Sequence, residues 1–96
     1  MFQDLDPLLH QQLRLQIITL LMSVETAEFN FLLNETGATR GNISVQMKKL
    51  EEAKYISIKK SFRNNYPLTT YAITEAGKTA FESYVKTLEA YINKTK

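Results

Sequence analysis

The hydrophobic period of this chain changes at Lys54. Before it, apolar residues recur at helical spacing; after it, Ile56 and Ile58 alternate with Ser57 and Lys59. A chain that passes from a period of 3.6 to a period of 2 within a residue or two must join a helix to a strand there. Upstream lies TRGNISVQMKKLEEAK (Thr39–Lys54), in which Ile43, Met47 and Leu50 form one stripe with Thr39 and Gln46 at its edges. Gly41, Asn42, Ser44, Val45, Lys48, Lys49 and Glu52 fall on the opposite side. That outer face is small and polar at its N-terminal end and basic one turn later. It suits entry into a DNA major groove, and an ordinary amphipathic helix with a solvated face shares the pattern. Downstream, Arg63-Asn64-Asn65-Tyr66-Pro67 is turn material, and Thr69 to Ile73 reads as a return strand with Thr69, Tyr71 and Ile73 on one face. A β-hairpin therefore follows the helix directly. Phe62 interrupts its polar run and is expected to anchor the hairpin base rather than to stack on a nucleobase.

The segment before Thr39 reads as two helices. Asp6-Pro7 predicts a helix start, Asp as cap and Pro in the first turn, with the helix running over 7–22. Leu8, Leu9, Leu13, Leu15, Ile17, Ile18, Leu20, Leu21 and Met22 are too many apolar residues for one stripe. One side is expected on the chain's own core and another on a neighbour or a second copy. Thr26 predicts a second, short helix over Ala27 to Asn34, buried through Phe29, Leu32 and Leu33. Gly37 can take the left-handed conformation that ends it, and Thr39 caps the next helix. Helix, tight turn and helix is the helix-turn-helix pattern, and a generic helical hairpin shares it.

Thr74 and Glu75 predict the start of a last helix over 75–93. Phe81, Tyr84, Val85, Leu88, Tyr91 and Ile92 give it a wide apolar stripe almost to its end. Such a helix either closes the monomer or packs on both the first helix and a second copy. The second reading makes Leu8, Leu9 and those six residues a homodimer interface.

Ninety-six residues make one domain, residues 1–96, with 44% apolar and 23% charged content, as in ordinary globular proteins. The net charge of +2 is small, but it is unevenly placed. Up to Thr39, Arg14 stands alone against Asp4, Asp6, Glu25, Glu28 and Glu35. From Arg40 to Arg63, Arg40, Lys48, Lys49, Lys54, Lys59, Lys60 and Arg63 face only Glu51 and Glu52. A basic middle on a near-neutral chain is the footprint of a polyanion partner. There is no cysteine and a single histidine, His10, so neither a thiolate nor a clustered-histidine metal site is expected, and His10 reads as a surface or interface residue. No glycine-rich phosphate loop or carboxylate pair set against a base points to an enzyme or a cofactor. The nearly apolar run Ile17 to Met22 is too short to span a membrane, and Asp4 and Asp6 stand where a signal segment needs positive charge, so a cytoplasmic protein is expected.

The stretches GNISVQMKKLEEAKYI (Gly41–Ile56), KKSF (Lys59–Phe62) and PLTTYAITEAGKTAFESYVKTL (Pro67–Leu88) resemble the small winged-helix transcriptional regulators close to the MarR and ArsR groups. The resemblance runs from about Leu5 to Leu88. It implies an α+β, mainly α fold: a three-helix core, a β-hairpin wing and a long C-terminal helix. It also implies a homodimer on palindromic operators, with positions from Thr39 to Lys49 in the major groove and Lys60 to Asn65 in the wing. Two departures stand out. Lys54 occupies a position where many relatives carry glycine, and Asn64-Asn65 stands where they tend to carry glycine and a basic residue. The cysteine and histidine ligands of the metal-sensing branch are absent.

The leading expectation is a sequence-specific regulator of double-stranded DNA. Arg40, Asn42, Ser44, Val45 and Gln46 would approach bases, with Val45 suited to a thymine methyl. Thr39, Lys48, Lys49, Lys60 and Arg63 would hold phosphates, and Asn64 and Asn65 would complete the wing over 59–67. The alternative is a winged helix that binds protein, pairing the acidic first third of one chain with the basic middle of another. A small-molecule effector could sit between the first and last helices of a dimer, lined by Phe81, Tyr84 and Tyr91, unless those aromatics are plain interface core.

Overall fold

The computed structural model describes residues 1–96. Seven elements follow one another: α1 (Gln12–Met22), β1 (Ala27–Glu28), α2 (Phe29–Thr36), α3 (Arg40–Glu52), β2 (Ile56–Arg63), β3 (Tyr66–Ile73) and α4 (Glu75–Asn93). Three helices pack over a three-stranded antiparallel sheet of order β1-β3-β2, and α4 closes one side. This is the expected three-helix core, hairpin wing and long last helix, with one strand that was not foreseen. No helix is long and apolar enough to cross a membrane.

The first helix starts at Gln12, not at Pro7. Two side chains in succession can cap, and the first makes an isolated turn. Asp6 Oδ1 accepts from the Leu8 amide at 2.8 Å, and the Asp6 carbonyl accepts from the His10 amide at 2.8 Å. The chain then extends at Gln11, whose Oε1 accepts from the Arg14 amide at 2.7 Å and begins α1. Leu13, Ile17, Ile18 and Leu21 are buried, with Leu15 and Leu20 packed on the same cluster. Much of the surplus apolar surface of α1 is thus covered within one chain, by α2, α3, β3 and α4.

Ala27 and Glu28 belong to a strand rather than to the second helix. They pair with Tyr71 and Thr70 of β3, and α2 begins two residues later than expected, at Phe29. Phe29 lies 6.5 Å from Tyr71, ring to ring, which fastens the start of α2 to the sheet. Gly37 ends α2 at φ 68°, its amide donating to the Leu33 carbonyl at 3.0 Å.

Lys54 takes the left-handed conformation at φ 64°. Its amide donates to the Glu51 carbonyl at 2.8 Å, and the next amide, of Tyr55, reaches back to Leu50 at 3.0 Å. These two bonds are a Schellman ending, in which this position favours glycine. The joint at Lys54 therefore takes the shape that glycine would give it, with lysine carrying the strain. Thr74 locks α4 onto the same joint. Its hydroxyl donates to the Lys54 carbonyl at 2.7 Å and accepts from the Gly77 amide at 3.0 Å, so it caps α4 as the sequence indicated. Gly77 lies against the Tyr55 carbonyl, and a Cβ there would collide with that oxygen.

Tyr55 also holds the N-terminal arm. Its hydroxyl donates to Asp6 Oδ2 at 2.6 Å, and this hydrogen bond, with burial and the Asp6 charge behind it, pushes the phenol up to about 12. Tyr71 is raised as well, by burial and then by Glu51.

The hairpin pairs β2 with β3 from Ile56–Ile73 out to Arg63–Tyr66. Ile56 and Ile58 oppose Ile73 and Tyr71 at the base, on the face that covers the helices. Phe62 shares that face by parity but lies past the end of the body, opposite Pro67, and is 76% exposed. It does not anchor the hairpin base; Ile56 and Ile58 do. Asn64 and Asn65 form a two-residue turn with both φ values positive, 50° and 66°. Asparagine tolerates that conformation, and it matches the right-handed twist of the flanking strands.

Candidate nucleic-acid interface

The turn between α2 and α3 is set by side chains that bond locally. Thr36 Oγ1 donates to the Leu32 carbonyl at 2.8 Å and accepts from the Ala38 amide at 3.3 Å. Thr39 Oγ1 then accepts from the Asn42 amide at 3.2 Å and caps α3. Ile43, Met47 and Leu50 bury one side of α3 in the core. Arg40, Gly41, Asn42, Ser44, Val45, Lys48 and Lys49 are exposed on the other. Arg40 is steadied beside α2, its guanidinium 5.6 Å from the Phe29 ring centre and Nη2 3.4 Å from Asn30 Oδ1. A Cβ at Gly41 would meet nothing within 4 Å, so no contact in the protein requires glycine there.

Gln46 departs from the expected base-reading role. It is buried, its Oε1 accepting from Arg14 and its Nε2 donating to Asn42 Oδ1 at 3.1 Å. Its position at the stripe's edge was the only hint in the sequence. An edge residue goes inward when a partner waits there, and the partner is Arg14 on α1.

The wing places Lys60, Arg63, Asn64 and Asn65 in solvent. Lys60 shares a face with Phe62, while Arg63 lies on the opposite face, where Nη2 meets Glu28 Oε2 at 3.3 Å. Both partners of that pair are well exposed, so it is weak and exchangeable for a phosphate. Lys48 and Lys49 form no ion pair. Sequence reasoning placed Phe62 at the hairpin base and Tyr66 in the turn without a role, and so missed that both are exposed aromatics of the wing tip. Their nearness to the Asn-Asn turn was the available signal.

The residues expected at a dimer interface divide into two groups. Leu9 and Tyr84 belong to the monomer core at 0% and 5% exposure. Tyr84 Oη lies 3.0 Å from His10 Nδ1, so His10 stands at the surface with an intramolecular partner. Leu8 and Phe81 are half-buried on the core, and Tyr91 donates to the Gln3 carbonyl at 2.7 Å with its ring on Phe2. Val85, Leu88 and Ile92 remain exposed, spaced along one stripe of α4. Among the expected effector-lining residues, Tyr84 borders an open groove of about 550 Å³ shared with Asp4, Asp6 and Tyr55, and Tyr91 borders a smaller recess beside His10.

A family model described as a winged helix DNA-binding domain matches residues 13–92. An uncharacterized protein of Methanocaldococcus jannaschii is 38% identical over 72 residues, which are 75% of this chain and 78% of that protein. A transcriptional regulator homologue of Pyrococcus horikoshii superposes with a TM-score of 0.86 at 24% identity, over 93% of this chain and 88% of its own. The transcriptional repressor BigR of Xylella fastidiosa gives 0.65 at 21%, over 81% and 74%. The two solved structures share the fold of this chain. With most of its length inside the matched family and its third helix and hairpin wing in place, the chain belongs to the winged helix DNA-binding domain family.

Proposed function

We propose that the protein is a sequence-specific double-stranded DNA-binding transcriptional regulator that works as a homodimer. In this reading α3 enters the major groove and the wing over 59–67 lies on the backbone or in the minor groove. The observation that carries it is the outer face of α3. Its first two turns expose only small or polar side chains plus Val45, and the next turn presents Lys48 and Lys49 free of acidic partners. Small groups let the helix backbone approach base edges, and unpaired cations meet phosphates. Lys60 and Arg63 add positive charge on the two faces of the wing.

Titration into labelled random duplex at several salt concentrations, followed by fluorescence anisotropy, tests the reading. Four cations per protomer correspond to a log–log salt slope of about −3 to −4 for one protomer and twice that for a dimer. Lys48→Glu should weaken binding to all sequences alike. Absence of binding at low salt, by folded protein, sinks the proposal and favours a winged helix that binds protein.

A further inference from the structure

The direction of one hydrogen-bond chain determines which end of Asn42 faces outward. Arg14 on α1 donates from Nε to the Leu8 carbonyl at 2.6 Å and from Nη1 to Gln46 Oε1. A guanidinium has donors and no acceptor, so Gln46 must turn its oxygen toward Arg14. Its Nε2 then points to Asn42 and donates to Oδ1 at 3.1 Å. Gln46 is largely buried, at 9% exposure, which limits competition from water for this arrangement. Asn42 is exposed, and its own backbone amide is fixed on Thr39 Oγ1. Its oxygen faces the body, and its amino group with two protons faces outward.

We propose that Arg14 and Gln46 are positioning residues that make Asn42 present a donor to DNA. The inference rests on the DNA reading above. An unconstrained asparagine pairs with adenine through both atoms, accepting from N6 and donating to N7. With its oxygen turned inward, Asn42 loses the accepting half. Its amino group suits a base whose major-groove edge offers acceptors, guanine O6 and N7 foremost, and disfavours the cytosine N4 amino group. The polarity originates in Arg14, which touches no base.

Selection of preferred sites from a random duplex pool, with wild type, Asn42→Ala and Gln46→Glu, tests this. Asn42→Ala marks the base position that Asn42 reads, because discrimination falls there. Gln46→Glu keeps the size of the side chain and its bond to Arg14 but has no proton to give. Asn42 then turns over, donating inward and showing Oδ1 outward. At the marked position wild type should prefer guanine to cytosine by about tenfold, and Gln46→Glu should reverse the preference. A cytosine preference in wild type, or an unchanged preference in Gln46→Glu, overturns the proposal; a merely structural role would lower affinity without reversing the base. Should a melting curve show Gln46→Glu unfolded, Arg14→Gln is the second variant. Glutamine can accept as well as donate, so the guanine preference should fall toward parity while binding to random duplex stays within about twofold. A retained preference again overturns the proposal. Wild type that binds no duplex refutes the DNA reading itself, whereas binding whose preferences ignore Asn42→Ala refutes only this inference.

Discussion

Gly41 occupies the second position of α3, where glycine loses more conformational freedom than alanine on folding, yet the space its Cβ would fill is empty. The protein alone gives no reason for it; in the proposed function, a DNA backbone passing close to the helix start would supply one. Gly41→Ala should raise stability by about 0.5–1 kcal/mol, read as a higher urea midpoint, while weakening duplex binding by roughly tenfold or more. A variant that gains stability and keeps its affinity would place the DNA elsewhere. Tyr55 makes a second residue-scale prediction. Its phenol is raised from 10.0 to about 12, so the folded state holds this proton more tightly than the unfolded chain. The associated stability is fully present below pH 10 and is lost as pH rises through about 12. Urea midpoints of wild type should therefore fall across that window. Tyr55→Phe should flatten the fall, and the slope that remains belongs partly to Tyr71, whose phenol is raised too.

Elements in this fold are joined by short, specific devices, and the α3–β2–α4 joint gathers three of them. Lys54 closes α3 in a left-handed conformation, Thr74 bridges its carbonyl to α4, and Gly77 lets α4 approach Tyr55. A lysine at positive φ costs about 1 kcal/mol relative to glycine. Lys54→Gly should raise the urea midpoint without changing the denaturant slope, a gain of up to about 0.5 kcal/mol after the greater freedom of glycine in the unfolded chain is counted. The same local devices determined what could be read in advance. The starts of α3 and α4 were legible because Thr39 and Thr74 carry capping hydroxyls directly before clean apolar stripes. The start of α1 was not, because Asp6 and Gln11 both cap and only packing decides which one starts the helix. A strand of two residues has no period to read; β1 exists because Tyr71 and Thr70 pair with it. Gln46 and Phe62 failed for a related reason. Helical and strand parity assign a face, but Arg14 across the core draws Gln46 inward, and the body ends before Phe62.

At the scale of the whole molecule the monomer is elongated, 55 × 26 × 21 Å with a radius of gyration of 14.8 Å, against about 13 Å for a compact domain of this length. α4 contributes to that shape, and its outer half keeps Val85, Leu88 and Ile92 uncovered, Ile92 at 50% exposure. A domain this small buries a limited core, so covering the stripe would add useful stability. A twofold axis beside α4 would cover it with the same stripe of a second copy, each residue acting twice. Leu88→Asp should therefore place two charges in one apolar contact and shift sedimentation from dimer to monomer. The fold should survive, because Leu88 lies outside the core cluster and the Thr74 cap and Gly77 contact are untouched. On DNA such a monomer should engage one half-site, with a salt slope about half that of wild type. Wild type that sediments as a monomer at micromolar concentration would remove the homodimer from the proposed function. The recognition helix would then have to reach its full affinity from a single half-site.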